Sequence, residues 1–287
     1  MSGRRAFRGA RRSMKNRVGV HIRMRSALDE LLQRAGALDL PFFQCFFVPQ
    51  ETGKLIQITD VQQNEFLKVR RTWFNNLYCH ASYWVNLASL GNNGYSQLRR
   101  EIIFAKRLEF THLVLHAGTA KGAVNRSEGV DALATALNKL FKQERDITIL
   151  LENTCHTKLA VGSNIFDFQQ LLEKIDRPER IGFCIDTAHA YSFGYDISSC
   201  EGRELFINLL NETIGIDRIK LIHLNDTVER LGSFIDRHAI IGQGIIGESA
   251  LKEFARHPAL KHIPLLMELP ELSIEQEMRV LKQVHGW

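Results

Sequence analysis

Ile147-Thr148-Ile149-Leu150-Leu151-Glu152 reads as a short buried strand that climbs through apolar side chains and stops on a carboxylate. The design returns downstream in Ile181 to Asp186, Ile219 to His223 and Ile263 to Glu268, and upstream in His112 to His116, Leu77 to His80, Phe42 to Val48 and Arg17 to His21. Between these runs lie longer segments with apolar residues at helical spacing: Ser26 to Ala37, Val61 to Trp73, Tyr95 to Leu108, Gly129 to Phe141, Ile165 to Ile175, Glu201 to Leu210, Ser249 to Phe254 and Ile274 to Val284. Eight strand–helix units predict an α/β protein of the (β/α)8 TIM barrel class, a parallel sheet closed on itself and covered by right-handed crossovers. A doubly wound open sheet is the main alternative. The number of units, and a last helix ending almost at the C-terminus, favour closure.

A chain of 287 residues, 45% of them hydrophobic, is long enough for one such barrel as a single domain over residues 17–287. Residues 1–16 read as a separate basic leader. The first seventeen residues carry Arg4, Arg5, Arg8, Arg11, Arg12, Lys15 and Arg17 with no acid, and without those seven the remaining 30 basic residues face 32 acidic ones. The formal charge of +5 is therefore poor evidence that the body binds nucleic acid. The leader is an untidy extension, a phosphate-gripping arm or an Arg-rich targeting peptide. No run of apolar residues is long enough to span a membrane. Cys45, Cys79, Cys155, Cys184 and Cys200 are scattered without a C-x-x-C pair, the pattern of free thiols in a reducing compartment.

The chemistry lies in how the strands end. His80, His116, Glu152, Asp186, His223 and Glu268 close strands three to eight, and His21 closes the first. Barrel strands deliver such residues to one rim, where barrel enzymes build their sites. So many imidazoles and carboxylates converging without a cation would repel or desolvate one another, and divalent ions resolve that conflict. Imidazole nitrogens suit zinc or manganese, carboxylates can bridge two ions, and the ions lower the pKa of bound water. His189 follows Asp186 by three residues and reaches the same rim. Asp236 and His238, two apart in an excursion beyond His223, emerge on one face if the chain is extended, and can clamp an ion with His189. Cys79, Cys155 and Cys184 lie near these residues and read as core or supporting groups. Gly242-Gln243-Gly244-Ile245-Ile246-Gly247 has the G-x-G-x-x-G spacing but follows no parallel strand, so it reads as a tight turn feeding a helix near Glu248.

Leu-Glu-Asn-Thr (151–154), Cys-Ile-Asp-Thr-Ala-His-Ala (184–190) followed by Gly194-Tyr195-Asp196, His-Leu-Asn-Asp (223–226), and Asp-Arg-His (236–238) followed by Ile-Gly-Gln-Gly-Ile-Ile-Gly (241–247) resemble, in order, the signature segments of the endonuclease IV family. The resemblance runs from about Val18 to about Val284. It implies a DNA repair nuclease that cuts the backbone on the 5′ side of an abasic site and clears blocked 3′ ends, holding about three zinc ions, with manganese proposed for part of the site. By that resemblance His80, His116 and Glu152 hold one ion, Glu152 bridges to a second held with Asp186, His223 and Glu268, and His189, Asp236 and His238 hold the third. Glu152, Asp186, Glu268 and His116 then stand at the catalytic centre and His21 supports it. The family places a tyrosine like Tyr83 against the DNA at the lesion; Trp84 is expected to pack inward. Arg237, between two ligands, is the candidate phosphate contact. Gly19-Val20-His21-Ile22-Arg23-Met24 departs from the family's Gly-Ala-His-Val-Ser, and His116-Ala117-Gly118-Thr119 from its His-Pro-Gly-Ser; the first departure falls where the resemblance implies a DNA-contacting loop.

The expected partner is duplex DNA with abasic sites or blocked 3′ ends, met by a monomer: cytoplasmic and nucleoid-associated in a bacterium, nuclear or mitochondrial in a eukaryote. Two rivals remain. A sugar isomerase or epimerase of the same barrel superfamily would use Glu152, Asp186, His223 and Glu268 around one or two ions, and leaves His189, Asp236 and His238 unexplained as a group. A non-catalytic DNA-binding protein needs no intact ligand set.

Overall fold

The computed structural model describes residues 17–24, 27–49, 52–91 and 94–287. The basic leader before Arg17 lies outside the described residues. Arg17 itself belongs to the barrel floor, its guanidinium bonding the carbonyls of Ala255 (2.5 Å) and Ile263 (2.9 Å).

The apolar runs form β1 (Val18–His21), β2 (Phe43–Phe46), β3 (Tyr78–His80), β4 (His112–His116), β5 (Thr148–Glu152), β6 (Ile181–Asp186) and β7 (Ile219–His223). A small antiparallel pair follows, β8 (Asp226–Thr227) and β9 (His238–Ala239), before the last barrel strand, β10 (Leu265–Met267). All eight barrel strands pair in parallel, and β1 closes the circle on β10 with Val18 opposite Leu265 and Val20 opposite Met267. Burial on both sheet faces explains why these strands read as continuous apolar runs.

The helices are α1 (Leu28–Ala37), α2 (Asp60–Trp73), α3 (Tyr95–Arg107), α4 (Arg126–Gln143), α5 (Phe166–Leu172), α6 (Thr187–Phe193), α7 (Cys200–Thr213), α8 (Glu248–Arg256) and α9 (Ile274–His285). Their starts are chemically marked. Thr59 with Gln62 and Ser273 with Gln276 form reciprocal capping boxes, while Asn125 and Ser199 cap α4 and α7. The periodicity predicts no helix where α6 stands. That seven-residue helix starts directly at the end of β6, and Asp186 caps it by accepting the His189 backbone N–H at 2.7 Å.

The β8–β9 pair decides where the excursion beyond β7 goes. Thr227 lies opposite His238, and its hydroxyl donates to the Arg237 carbonyl at 2.8 Å. The glycine-rich turn folds onto the same place, as the Asp226 carboxylate accepts the backbone N–H groups of Gly242 and Gly244 (3.0 Å each) and Ile246 (3.1 Å). The G-x-G-x-x-G spacing thus cradles a carboxyl group belonging to the chain itself. Gly244 has no alternative, because a Cβ there would lie 2.3 Å from Asp226 Oδ1.

Candidate metal centre

Every strand-end residue singled out in the sequence reaches the same mouth of the barrel. His80 Nε2 and His116 Nε2 each lie 3.0 Å from Glu152 Oε2, and His223 Nδ1 lies 2.8 Å from Glu152 Oε1. Glu152 is fully buried at the centre. His223 Nδ1 also faces Glu268 Oε2 at 3.6 Å and Asp186 Oδ2 at 3.9 Å. Next to this cluster, His189 Nε2 and His238 Nε2 each lie 3.3 Å from the Asp236 carboxylate, and His238 Nε2 lies 3.7 Å from Asp186 Oδ2. Ligand-type atoms gather within 4.8 Å of one another in the sets His80–His116–Glu152, Glu152–Asp186–His223–Glu268 and Asp186–His189–His238. Asp236 joins the last set through both imidazoles.

The donor set fits bound cations. His116 Nε2 and His238 Nε2 are buried and make no hydrogen bond, although a carboxylate oxygen lies close to each. Atoms that approach without aligning on each other are directed at shared space between them, as ligands of one ion are. Charge points the same way. Burial disfavours the charged forms, yet the Glu152 hydrogen bond and charge raise the His80 pKa. Burial likewise opposes charge on His189, but Asp186 and Asp236 take its pKa well above the usual imidazole value. For Asp236 burial pushes upward, and the hydrogen bond and charge of His189 outweigh it, holding the carboxyl down to about 2. Glu152, against its own burial, is held well below the carboxylate range by His223 and His116. Imidazoles and carboxylates here favour one another's charged forms, and a divalent ion held among them would supply that positive charge instead.

The imidazoles are oriented from behind. His80 Nδ1 meets the Ala81 carbonyl at 2.8 Å and His189 Nδ1 the Asn153 carbonyl at 2.9 Å, which leaves Nε2 of each facing the centre. Asn153 and Asn225 both grip Asp186: Asn153 exchanges hydrogen bonds with its backbone at 2.7 and 3.0 Å, and the Asn225 amide donates to Oδ2 at 2.6 Å. The sequence reading missed these asparagines as functional residues, although both sit inside the quoted motifs. It also missed Gln44, whose signal was a polar residue inside the apolar run Phe42 to Val48. His21 touches Glu268 Oε1 at 3.3 Å and Gln44 at 2.9 Å. Cys79, Cys155 and Cys184 are buried; Cys184 lies beside Glu152 and His223, and burial pushes its thiol up to about 12.

Tyr83 stands over the clusters, 56% exposed, with its ring 6.0 Å from that of His116 and 6.2 Å from that of His80. Trp84 does not pack inward: it is 66% exposed and, with Val48, Ser82 and Tyr83, lines a cavity of about 390 Å³ beside the centre. The chain leaves β3 at His80 and crosses the rim, so the position after Tyr83 faces solvent whatever its hydropathy. Arg237 is exposed at the same rim and pairs with Glu229 at 3.3 Å.

A model of the family described as the xylose isomerase-like TIM barrel matches residues 32–284. A protein of Methanoculleus marisnigri named probable endonuclease 4 is 32% identical over 260 residues, covering 88% of this chain and 92% of that protein. Among solved structures, endonuclease IV of Thermus thermophilus superimposes with a TM-score of 0.82 at 26% identity, covering 95% of this chain and 98% of that one. A D-tagatose 3-epimerase-like protein superimposes with a TM-score of 0.69 at 18% identity, covering 94% and 99%, a likeness of fold alone.

Proposed function

We propose that this chain, which belongs to the endonuclease IV family of xylose isomerase-like TIM barrels, is a zinc-dependent deoxyribonuclease that hydrolyses the phosphodiester on the 5′ side of abasic sites and also processes blocked 3′ ends. The observation that carries this reading is the Asp236–His189–His238 cluster beside the Glu152-centred ones. Isomerisation of a sugar needs only the Glu152, Asp186, His223 and Glu268 group, whereas a third cation pocket suits a substrate that brings its own anionic charge.

His80, His116 and Glu152 would hold one ion, Glu152, Asp186, His223 and Glu268 a second, and His189, Asp236 and His238 a third; zinc suits the imidazoles, and manganese the carboxylate-rich second position. Bound there, divalent ions supply counter-charge for the phosphodiester and lower the pKa of water so that hydroxide is available near neutral pH. The chain's own residues do the rest. Glu152, Asp186, Glu268 and His116 hold the reacting centre; full burial of Glu152 and Asp186, and partial burial of His116 and Glu268, fix them in place before DNA arrives. Arg237 offers an exposed guanidinium to a neighbouring phosphate once DNA competes with Glu229. No helix among the described residues is long and apolar enough to cross a membrane.

The test is a 5′-labelled duplex carrying one synthetic abasic residue. A single cut leaving a 3′-hydroxyl immediately before the abasic residue is expected; intact duplex under conditions where the protein isomerises a ketose would overturn the reading. Tyr83→Ala should retain the metal complement and lose about 10-fold or more in subsaturating cleavage of internal abasic sites, with less effect on 3′ ends, because the exposed ring is available to fill space vacated by unstacked nucleotides. Parental activity on internal sites, in a variant with parental circular dichroism, would reduce Tyr83 to packing against Phe46.

A further inference from the structure

Gln44 lies on β2, a strand that supplies none of the nine proposed ligands, and it is fully buried at the barrel mouth. Hydrogen-bond chemistry fixes which way its amide faces. One end lies 2.9 Å from Glu268 Oε1, and an ionised carboxylate can only accept, so this end is the NH2 group. The same nitrogen lies 2.9 Å from His21 Nδ1, which therefore accepts from it. The opposite end is then the carbonyl, and His223 Nε2, 3.0 Å away, must be the donor. His223 is left with Nδ1 directed at Glu152, Glu268 and Asp186.

We infer that Gln44 is a positioning residue for the ion pair centred on Glu152: it commits His223 to coordinate through Nδ1, and by holding Glu268 Oε1 it turns Oε2 toward the ions. The inference rests on the metal reading above and goes beyond it by assigning a role to a residue that touches no ion. No other side-chain amide in the site spans a proposed imidazole ligand and a proposed carboxylate ligand from behind, among the described residues; Asn225 contacts two carboxylates, Asp186 at 2.6 Å and Glu268 at 3.4 Å. Asn225 also takes the Glu268 backbone N–H at 2.8 Å, so the Glu268 backbone stays anchored when Gln44 is changed and only its side chain is released.

Gln44→Met keeps the length of the side chain and removes both the donor and the acceptor. Zinc affinity is measured by competition with a chromophoric chelator on parent and variant. The expected result is an affinity loss of about 10- to 100-fold for one ion, the effect of removing a group that orients ligands, with kcat reduced and KM for abasic DNA unchanged. Equal affinities and equal kcat would overturn the role of Gln44, whereas a parent that binds no zinc would overturn the metal reading beneath it. A second measurement needs no variant. In zinc-loaded parent labelled with 15N-histidine, His223 should carry its proton on Nε2 and bind zinc through Nδ1; zinc on Nε2 would overturn the inference outright.

Discussion

Replacing both Asp236 and His238 with alanine is expected to remove about one metal ion per chain and to lower cleavage of abasic DNA by several orders of magnitude, while the barrel stays folded. Asp236 lies between β8 and β9 and His238 begins β9, outside the eight barrel strands, so truncation opens no apolar cavity in the core. The Glu152-centred groups share no side chain with this pair and should keep their ions. What disappears is counter-charge: His189 Nε2 loses the carboxylate 3.3 Å away that fixes it, and the phosphodiester loses one of its cationic contacts. Metal analysis on extensively dialysed parent and double variant, paired with single-turnover cleavage, checks both halves. An unchanged metal count with parental cleavage would return the triplet to a charged surface turn. A lost ion with parental cleavage would leave the binding assignment standing and remove the catalytic one.

Glu152→Gln should be more damaging still. Glutamine has nearly the same volume, so packing at this fully buried position is preserved. Its amide nitrogen has no lone pair to offer, however, and Glu152 now presents one oxygen to His80 and His116 and the other to His223. One of the two sides therefore loses its oxygen ligand, and a negative charge facing three imidazoles is gone. The expected outcome is weakened binding at both ions that Glu152 would hold and a fall in single-turnover cleavage of at least about 10³-fold. Retention of about three ions per chain with cleavage within about 10-fold of the parent would show that Glu152 is not the bridge.

Much of this site was legible because it is built from strand ends. The limits of β6 and β7 were read to the residue, since each run is bounded sharply and stops on the ionisable side chain that the rim requires. Where the reading was imprecise, the decisive contacts are distant in sequence. Val61 to Trp73, the least regular helical segment, is fixed as α2 by the Thr59–Gln62 box. The segment from Ile165 to Ile175 shortens to Phe166–Leu172, because Ile175, beyond the last turn, is buried without being helical. The two-residue strands β8 and β9 carry no periodicity and exist because Thr227 and Asp226 hold chain that returns ten or more residues later. Gln44 has partners 23, 179 and 224 residues away, so spacing could mark it as anomalous and could not say whom it serves. Trp84 was misplaced for the opposite reason: a rim loop sets exposure by direction, and hydropathy carries no information about direction.

The most direct test of a three-ion abasic nuclease measures metal content and cleavage on the same sample. Dialysed protein should contain about three ions per chain and cut the single-abasic duplex; exhaustive chelation should abolish the cut, and zinc, alone or with manganese, should restore it. Protein holding only one or two ions per chain that leaves the abasic duplex intact, or cleavage that survives complete removal of metal, would contradict the account.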